Sequence, residues 1–215
     1  MIGILAFGSL IANPGDEIQP IKEREIEVIT PFPVEYARRS ASRTKAPTLV
    51  VVPEGKGSPV RGAILVLKAD IDVQKVKDML LRRELHKEND KTVTYDDVTQ
   101  RKKKDALVIE TLGHFQGFGD VYYTALKANF SEILDPSLTQ ETKAKLLAHA
   151  AVDSVTADTF KAGLDGIQYL HDNLKAGIET PLSRLYEAAI LEIADNAQNL
   201  AEARLHIARQ KGIIP

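Results

Sequence analysis

Residues 6–11, Ala6-Phe7-Gly8-Ser9-Leu10-Ile11, are the point at which the first apolar run of this chain stops. The preceding residues 3–7 are short and apolar, which is typical of a buried β-strand. Glycine adopts backbone conformations that other residues avoid, and consecutive N–H groups in a turn form a concavity that binds anions. Gly8-Ser9 is therefore either the plain end of a first strand or part of a binding site.

The first part of the chain predicts further strands, each short and rich in Val, Ile, Leu or aromatic residues. Most are bounded by Pro, Gly, Asn or Asp. They are residues 25–29, 48–52, 63–67, 106–112 and 121–126. Residues 40–47, with Arg39 and Arg43 around them, are too polar to be buried and predict a loop.

From about residue 136 the pattern changes to helix. Residues 139–155 predict one helix, and Thr180-Pro181 predicts the start of another, with Thr180 as N-cap and Pro181 at the first helical position. An Ala-rich continuation ends near Gly212, a suitable C-terminal cap. We therefore expect an α+β protein, with a β-rich core at residues 1–135 and a helical portion at residues 136–215 packed on that core.

Composition restricts the class of protein. The chain has 215 residues, 44% hydrophobic and 27% charged, which is ordinary for a soluble globular protein with one substantial core. No stretch approaches the roughly 20 apolar residues of a membrane-spanning helix, and no basic segment precedes the short apolar run as in a secretory signal. The absence of cysteine excludes disulfides, thiolate metal sites and a cysteine nucleophile. We expect a cytoplasmic protein without a membrane partner.

Charge gives little reason to expect nucleic acid or metal. The formal net charge is −2, and the basic run from Arg101 to Lys104 is interpreted as a solvated turn before a strand. The five histidines are scattered and show no metal-binding spacing. The sequence therefore predicts no metal, no cofactor and no nucleic-acid partner, and it leaves the oligomeric state open.

A helix between two predicted strands ends in a glutamate. Residues 72–84 begin with Asp72, a suitable N-cap, and the residues of the inward face are Val73, Val76 and Leu80. Glu84 is the next step of four, so its carboxylate falls on the same face. Burial raises the pKa of a carboxyl group toward the range that suits general acid–base catalysis. Alternatively the helix frays at Arg83, and Glu84 is solvated or paired to an arginine.

Other charged residues of this segment have separate interpretations. Glu88 continues the same spacing and is the second candidate carboxylate, although Asn89-Asp90 indicates that the helix has already ended. Asp78 and Arg82 fall on other faces, where we expect water to solvate their charges.

The order of these segments resembles the γ-glutamylcyclotransferase-like family, which includes glutathione-degrading enzymes. The matching segments are Phe7-Gly8-Ser9-Leu10, Arg61-Gly62-Ala63-Ile64-Leu65-Val66-Leu67 and Leu81-Arg82-Arg83-Glu84. Residues 38–50 resemble the arginine-containing loop and strand of the glutathione-acting branch. The resemblance covers most of residues 2–130 and implies a small mixed β-barrel with flanking helices.

The resemblance also implies a site. The turn Phe7-Gly8-Ser9-Leu10 would cradle the γ-glutamyl group of a small-molecule substrate, and Glu84 would be the catalytic glutamate. Tyr169 resembles a tyrosine that contacts substrate, although a tyrosine packed at a helix start fits the sequence equally well. Phe7 stands where the family usually has tyrosine, so any contact of that hydroxyl is lost.

In the family reaction, the α-amino group of a γ-glutamyl substrate attacks its own γ-carbonyl and releases 5-oxoproline and an amine or peptide. One carboxylate can take the ammonium proton and return it to the leaving amine, as expected of Glu84. A non-catalytic member that binds a small ligand is the main alternative. An enzyme with Ser9 as nucleophile and an interaction module built on Arg38, Arg39 and Arg43 are less favoured.

Overall fold

The computed structural model describes residues 2–103, 106–195 and 197–215. Lys104, the last residue of the basic run, lies outside the described residues. The strands are β1 (Ile2–Ala6), β2 (Lys22–Ile29), β3 (Val34–Ser40), β4 (Ala46–Val51), β5 (Arg61–Leu67), β6 (Leu107–Gly113) and β7 (Asp120–Leu126). The helices are α1 (Ser9–Ala12), α2 (Val73–Glu84), α3 (Asp97–Arg101), α4 (Ser131–Leu134), α5 (Gln140–Asp153), α6 (Ala157–Ala162), α7 (Gly166–Lys175), α8 (Ser183–Ile193) and α9 (Leu200–Gln210).

The first of two compact units comprises Met1–Pro31 and Arg61–Lys127. It contains a five-stranded sheet in the order β2-β5-β1-β7-β6. The pairing of β1 with β7 is parallel and the other pairings are antiparallel, so the sheet is mixed. Strands β2 and β6 are its two ends, and the sheet is not closed. The α+β class is therefore confirmed, whereas the small barrel is not.

Helix α2 packs on this sheet through its apolar face. Its buried residues include Val76, Met79, Leu80 and Leu81, which join a core with strand residues such as Ile4. The predicted N-cap is confirmed, because the Asp72 carboxylate accepts hydrogen bonds from the backbone N–H groups of the first turn. The sheet and this helix therefore fix the positions of the Gly8 turn and of the C-terminal end of α2.

The second compact unit comprises Phe32–Val60 and Ala128–Pro215. Strands β3 and β4 form an antiparallel pair, and helices α5, α7, α8 and α9 supply most of the remaining core. Tyr36 of β3 is completely buried and lies edge-on to Tyr186 of α8, with ring centroids 5.3 Å apart. Residues 32–60 thus group with the C-terminal helices, whereas the sequence places them in the core of residues 1–135.

Two local predictions are wrong. Helix α8 begins at Ser183, preceded by Leu182, and not after Thr180. The Thr180 hydroxyl donates a 2.6 Å hydrogen bond to Oε1 of Glu35 and does not cap the helix. The predicted Ala-rich continuation is a separate helix, α9, and Gly212 follows its end with a φ of 64°, as expected of a C-terminal cap.

Strand β3 was not predicted, and the loop expected at residues 40–47 is shorter than expected. It contains a single 3-10 turn at Ala41–Arg43, and β4 already begins at Ala46. In the described part of the chain, no helix is both long enough and apolar enough to cross a membrane.

Candidate functional site

The turn after β1 depends on Gly8, whose backbone has φ 60° and ψ −138°. This combination is close to a region that only glycine occupies without strain. It reverses the chain directly into the short helix α1, whose second residue Leu10 is buried. Phe7 and Ser9 on either side are only partly buried. The turn is therefore shaped by glycine and keeps the Ser9 side chain accessible.

Glu84 is the last residue of α2, and Leu85 is its C-cap. The helix does not fray at Arg83, because the Leu85 N–H still donates to the Leu81 carbonyl at 3.0 Å. The side chain of Glu84 is 14% exposed, and its Oε1 lies 2.8 Å from Nη1 of Arg83. Glu84 is thus largely buried, as its place on the inward face predicts, and it is also paired to an arginine.

Arg83 links the turn to the glutamate. Its Nη2 donates to Oγ of Ser9 at 3.2 Å and to the carbonyl of Asn13 at 2.9 Å, while Nη1 donates to Glu84. The two terminal nitrogens of one guanidinium therefore bind Ser9 and Glu84 at the same time. Arg83 lies in one of the segments that resemble the family, but no sequence pattern indicated that it bridges Ser9 and Glu84.

Glu88 lies in the loop beyond α2 and faces the segment that follows α1. Its Oε1 is buried and has no hydrogen-bond partner among the described residues. It lies so close to Gly15, which has a φ of 94°, that a Cβ there would be only 2.1 Å away. The predicted end of the helix before Glu88 is confirmed, and its buried oxygen can still accept a hydrogen bond from a ligand.

The expectation that water solvates Arg82 is wrong. Arg82 is 5% exposed, and its guanidinium donates two hydrogen bonds to the Glu17 carboxylate, at 2.7 and 2.8 Å. A third bond reaches the carbonyl of Val93 at 2.9 Å. The planar guanidinium matches the two carboxylate oxygens, and its hydrogen bonds lower the pKa of Glu17. Nothing in the local pattern indicated this partner, because Glu17 is 65 residues away.

Tyr169 belongs to the second compact unit and lies in α7. It is 6% exposed, and its hydroxyl accepts a hydrogen bond from the backbone N–H of Leu49 at 3.4 Å. Its ring lies edge-on to Tyr36 and beneath the guanidinium of Arg43. These contacts fit the alternative of a tyrosine packed near a helix start, and contact with substrate stays a prediction.

The arrangement at Gly8 and Glu84 suits proton transfer beside an anion-binding group. A largely buried carboxylate can exchange a proton with an ammonium group, and a guanidinium can bind a substrate carboxylate. Within residues 2–103, 106–195 and 197–215, no group of three or more His, Asp or Glu side chains is arranged to hold a metal ion. No protein-family model matches the chain, and no curated protein or solved structure matches it either.

Proposed function

We propose that this chain is a γ-glutamylcyclotransferase-like enzyme, which converts a γ-glutamyl group to 5-oxoproline and releases an amine or a peptide. The observation that carries the proposal is the bridge by Arg83 from Ser9 Oγ, at 3.2 Å, to Glu84 Oε1, at 2.8 Å. It joins two of the segments on which the family resemblance depends, although they are far apart in the sequence. The small mixed β-barrel of that family stays a proposal, because the observed sheet is not closed.

The reaction needs positioning and one proton carrier. The α-amino nitrogen attacks the γ-carbonyl carbon of the same molecule, and the amide C–N bond then breaks. Because the attack is intramolecular, holding the substrate in a near-attack conformation removes much of the barrier. The ammonium nitrogen loses two protons in forming the lactam: Glu84 accepts one and returns it to the departing nitrogen, and the other passes to water.

Arg83 gives this mechanism a resting state. In the free protein its guanidinium neutralises Glu84. A γ-glutamyl substrate carries both an α-carboxylate and an α-ammonium group, which compete for Arg83 and Glu84 respectively. Binding would separate the pair and leave Glu84 beside the ammonium proton, while backbone N–H groups of the Gly8-Ser9 turn hold a substrate oxygen.

The decisive experiment measures 5-oxoproline by mass spectrometry after incubation with glutathione, γ-glutamyl amino acids or γ-glutamylamines. We expect at least one class to react, and Glu84→Gln to lower the rate by about 10²–10⁴-fold because the proton carrier is lost. Glu54→Gln, at an exposed glutamate, is the matched control and should keep full activity. Full activity of a folded Glu84→Gln protein would refute the mechanism.

Two further outcomes separate the alternatives. Ser9→Ala should lower the rate only a few-fold if Ser9 acts through its backbone N–H, whereas complete loss in a folded protein would favour a serine nucleophile. If no γ-glutamyl compound reacts but several raise the melting temperature, the chain is a binding protein. The neutralising Arg83–Glu84 pair is the observation that favours this second function.

A further inference from the structure

The second compact unit contains a pocket that the proposed reaction does not use. Its volume is about 260 Å³. Glu35, Lys56, Gln140 and Lys143 supply polar groups to its wall, and residues such as Ile133 supply apolar ones. Pockets for drug-sized ligands are usually larger, at roughly 300–1,000 Å³, so this pocket suits a ligand of a few heavy atoms.

Glu35 is a buried carboxyl group without a cationic partner. It is 1% exposed, and its Oε1 accepts hydrogen bonds from Thr180 Oγ1 at 2.6 Å and from the backbone N–H of Tyr36 at 2.9 Å. No lysine, arginine or histidine of the described residues forms an ion pair with it. The carboxyl group is therefore fixed in place by neutral donors, which include the backbone N–H of Leu182, and Lys143 acts on its charge without a direct bond.

Lys143 of α5 is a nearly buried cation that, like Glu35, has no direct ion-pair partner among the described residues. It is 7% exposed, and its ammonium group forms no hydrogen bond or ion pair within the described part of the chain. Lys143 and Glu35 line one pocket and attract each other through space without forming an ion pair. The other charged groups near them are Lys56, in the wall, and Asp135, whose pKa is lowered chiefly by hydrogen bonds from Ser137 and further by both lysines.

The rim of the pocket is preformed. Val34 and Ser58 exchange backbone hydrogen bonds of 2.8 and 3.4 Å. A Cβ on Gly57 would come within 2.5 Å of the Val34 carbonyl oxygen, so the loop lies directly on β3. A ligand would enter a shaped site and would not have to order this loop, which reduces the entropic cost of binding.

We propose that this pocket binds a free α-amino acid, whose ammonium group pairs with Glu35 and whose carboxylate pairs with Lys143. A zwitterion can bond directly to both charged groups at once, and its side chain meets the apolar wall at Ile133 and Leu182. A simple anion would satisfy the lysines and leave Glu35 unpaired. A simple amine would leave Lys143 unpaired.

The test is a thermal-shift and calorimetry screen of the full chain at pH 8 with the common amino acids. Acetate, methylamine and inorganic phosphate are the comparison ligands. We expect at least one amino acid to raise the melting temperature at concentrations where the comparison ligands do not. Equal shifts with phosphate or acetate, or no shift with any amino acid, would overturn the proposal.

Variants locate the site. Glu35→Gln and Lys143→Met should each weaken binding at least tenfold. Glu141→Gln and Lys145→Met, at exposed positions of the same helix α5, are the matched controls and should bind normally. Glu84→Gln should also bind normally, so a failure here is distinct from a failure of the proposed reaction. Unchanged affinity in Lys143→Met would contradict the proposal even if Glu35→Gln does not fold.

Binding should also depend on pH, because an ammonium group needs an ionised Glu35. Burial raises the pKa of Glu35 to about 7, although the hydrogen bonds from Thr180, Tyr36 and Leu182 and the charge of Lys143 oppose the shift. Affinity should therefore fall roughly tenfold from pH 8 to pH 6 as Glu35 takes up a proton. A flat profile between these values would contradict the role assigned to Glu35.

Discussion

Glu35 makes the stability of the protein depend on pH in the direction opposite to that of a salt-bridged acid. Burial raises its pKa from 4.5 to about 7. Between these values the folded state binds more protons than the unfolded state, so the free energy of unfolding falls as pH rises. We expect Glu35 to cost up to roughly 3 kcal/mol at pH 8 relative to pH 4.5.

Urea unfolding at pH 5 and pH 8 measures this effect. The decrease in stability with rising pH should become smaller in Glu35→Gln, because the amide does not titrate. An identical pH dependence in both proteins would show that Glu35 ionises in the folded state as it does in the unfolded chain.

Gly8 has a backbone conformation that favours glycine, and it lies in the turn that we propose holds the substrate. Alanine has no favourable energy well near φ 60° and ψ −138°, so Gly8→Ala should destabilise the protein by about 1–3 kcal/mol and lower 5-oxoproline release. Gly113→Ala is the control, because a Cβ at Gly113 meets no atom within 4 Å. Urea unfolding of both variants checks the difference, and equal stabilities would contradict the conformational argument.

At the residue scale, the sequence identified what local spacing determines. The position of Glu84 on the inward face of α2 follows from steps of three and four residues, and the Gly8 turn follows from an apolar run that ends in glycine. The contacts of Arg82 and Arg83 were not predicted, because their partners Glu17 and Ser9 lie 65 and 74 residues away in the sequence. Spacing along one helix carries no information about which distant carboxylate or hydroxyl a guanidinium will meet.

At the scale of elements, the ion pair between Arg82 and Glu17 holds the C-terminal end of α2 in place. The side chains are 6% and 12% exposed, so removing one partner leaves a nearly buried charge. We expect Glu17→Ala to cost about 3–5 kcal/mol in urea unfolding. The double variant Glu17→Leu with Arg82→Met should cost less, because both nearly buried charges are removed and Lys91, which also lies 2.6 Å from Glu17, is 63% exposed.

An exposed pair provides the comparison for this prediction. Arg61 and Glu27 lie 2.7 Å apart with side chains 46% and 65% exposed. Glu27→Ala should cost no more than about 1 kcal/mol, because water and side-chain entropy offset most of the attraction. If Glu17→Ala costs as little as Glu27→Ala, the pair at α2 contributes no more than an ordinary surface contact.

The elements that were predicted share a clear apolar signal, as in the buried run of β5. Strand β3 lacks that signal, because Glu35, Arg38 and Arg39 interrupt it. Its buried carboxyl group accepts a hydrogen bond from Thr180, 145 residues away, which is the residue predicted to cap α8. Both errors therefore concern residues whose partner lies far away in the sequence.

At the scale of the whole molecule, residues 32–60 belong to the same compact unit as the C-terminal helices. Pro47 of β4 contacts Gly166 of α7 closely, since a Cβ on Gly166 would lie 3.2 Å from the Pro47 ring. The composition of the sequence changes near residue 136, but the C-terminal helices pack with residues 32–60, which lie much earlier in the chain. A change of pattern in the sequence cannot reveal such packing.

A fragment experiment tests this grouping. Residues 136–215 alone should lack near-ultraviolet circular dichroism and a cooperative urea transition, because Tyr186 then loses its contact with Tyr36. Residues 32–60 joined by a flexible Gly/Ser linker to residues 128–215 should regain both. Cooperative unfolding of residues 136–215 by themselves would show that the helices need no strand pair.

The insertion of β3 and β4 between β2 and β5 has a consequence for synthesis on the ribosome. The last strand of the first unit ends at Leu126, whereas the second unit needs α9, which ends at Gln210. Because domains fold as units once they are complete, the N-terminal sheet can assemble while β3 and β4 still wait for their helices. Strands β3 and β4 are therefore translated early but stay without their helical packing partners until the end of the chain has been made. We expect nascent-chain chaperones to bind them during this interval.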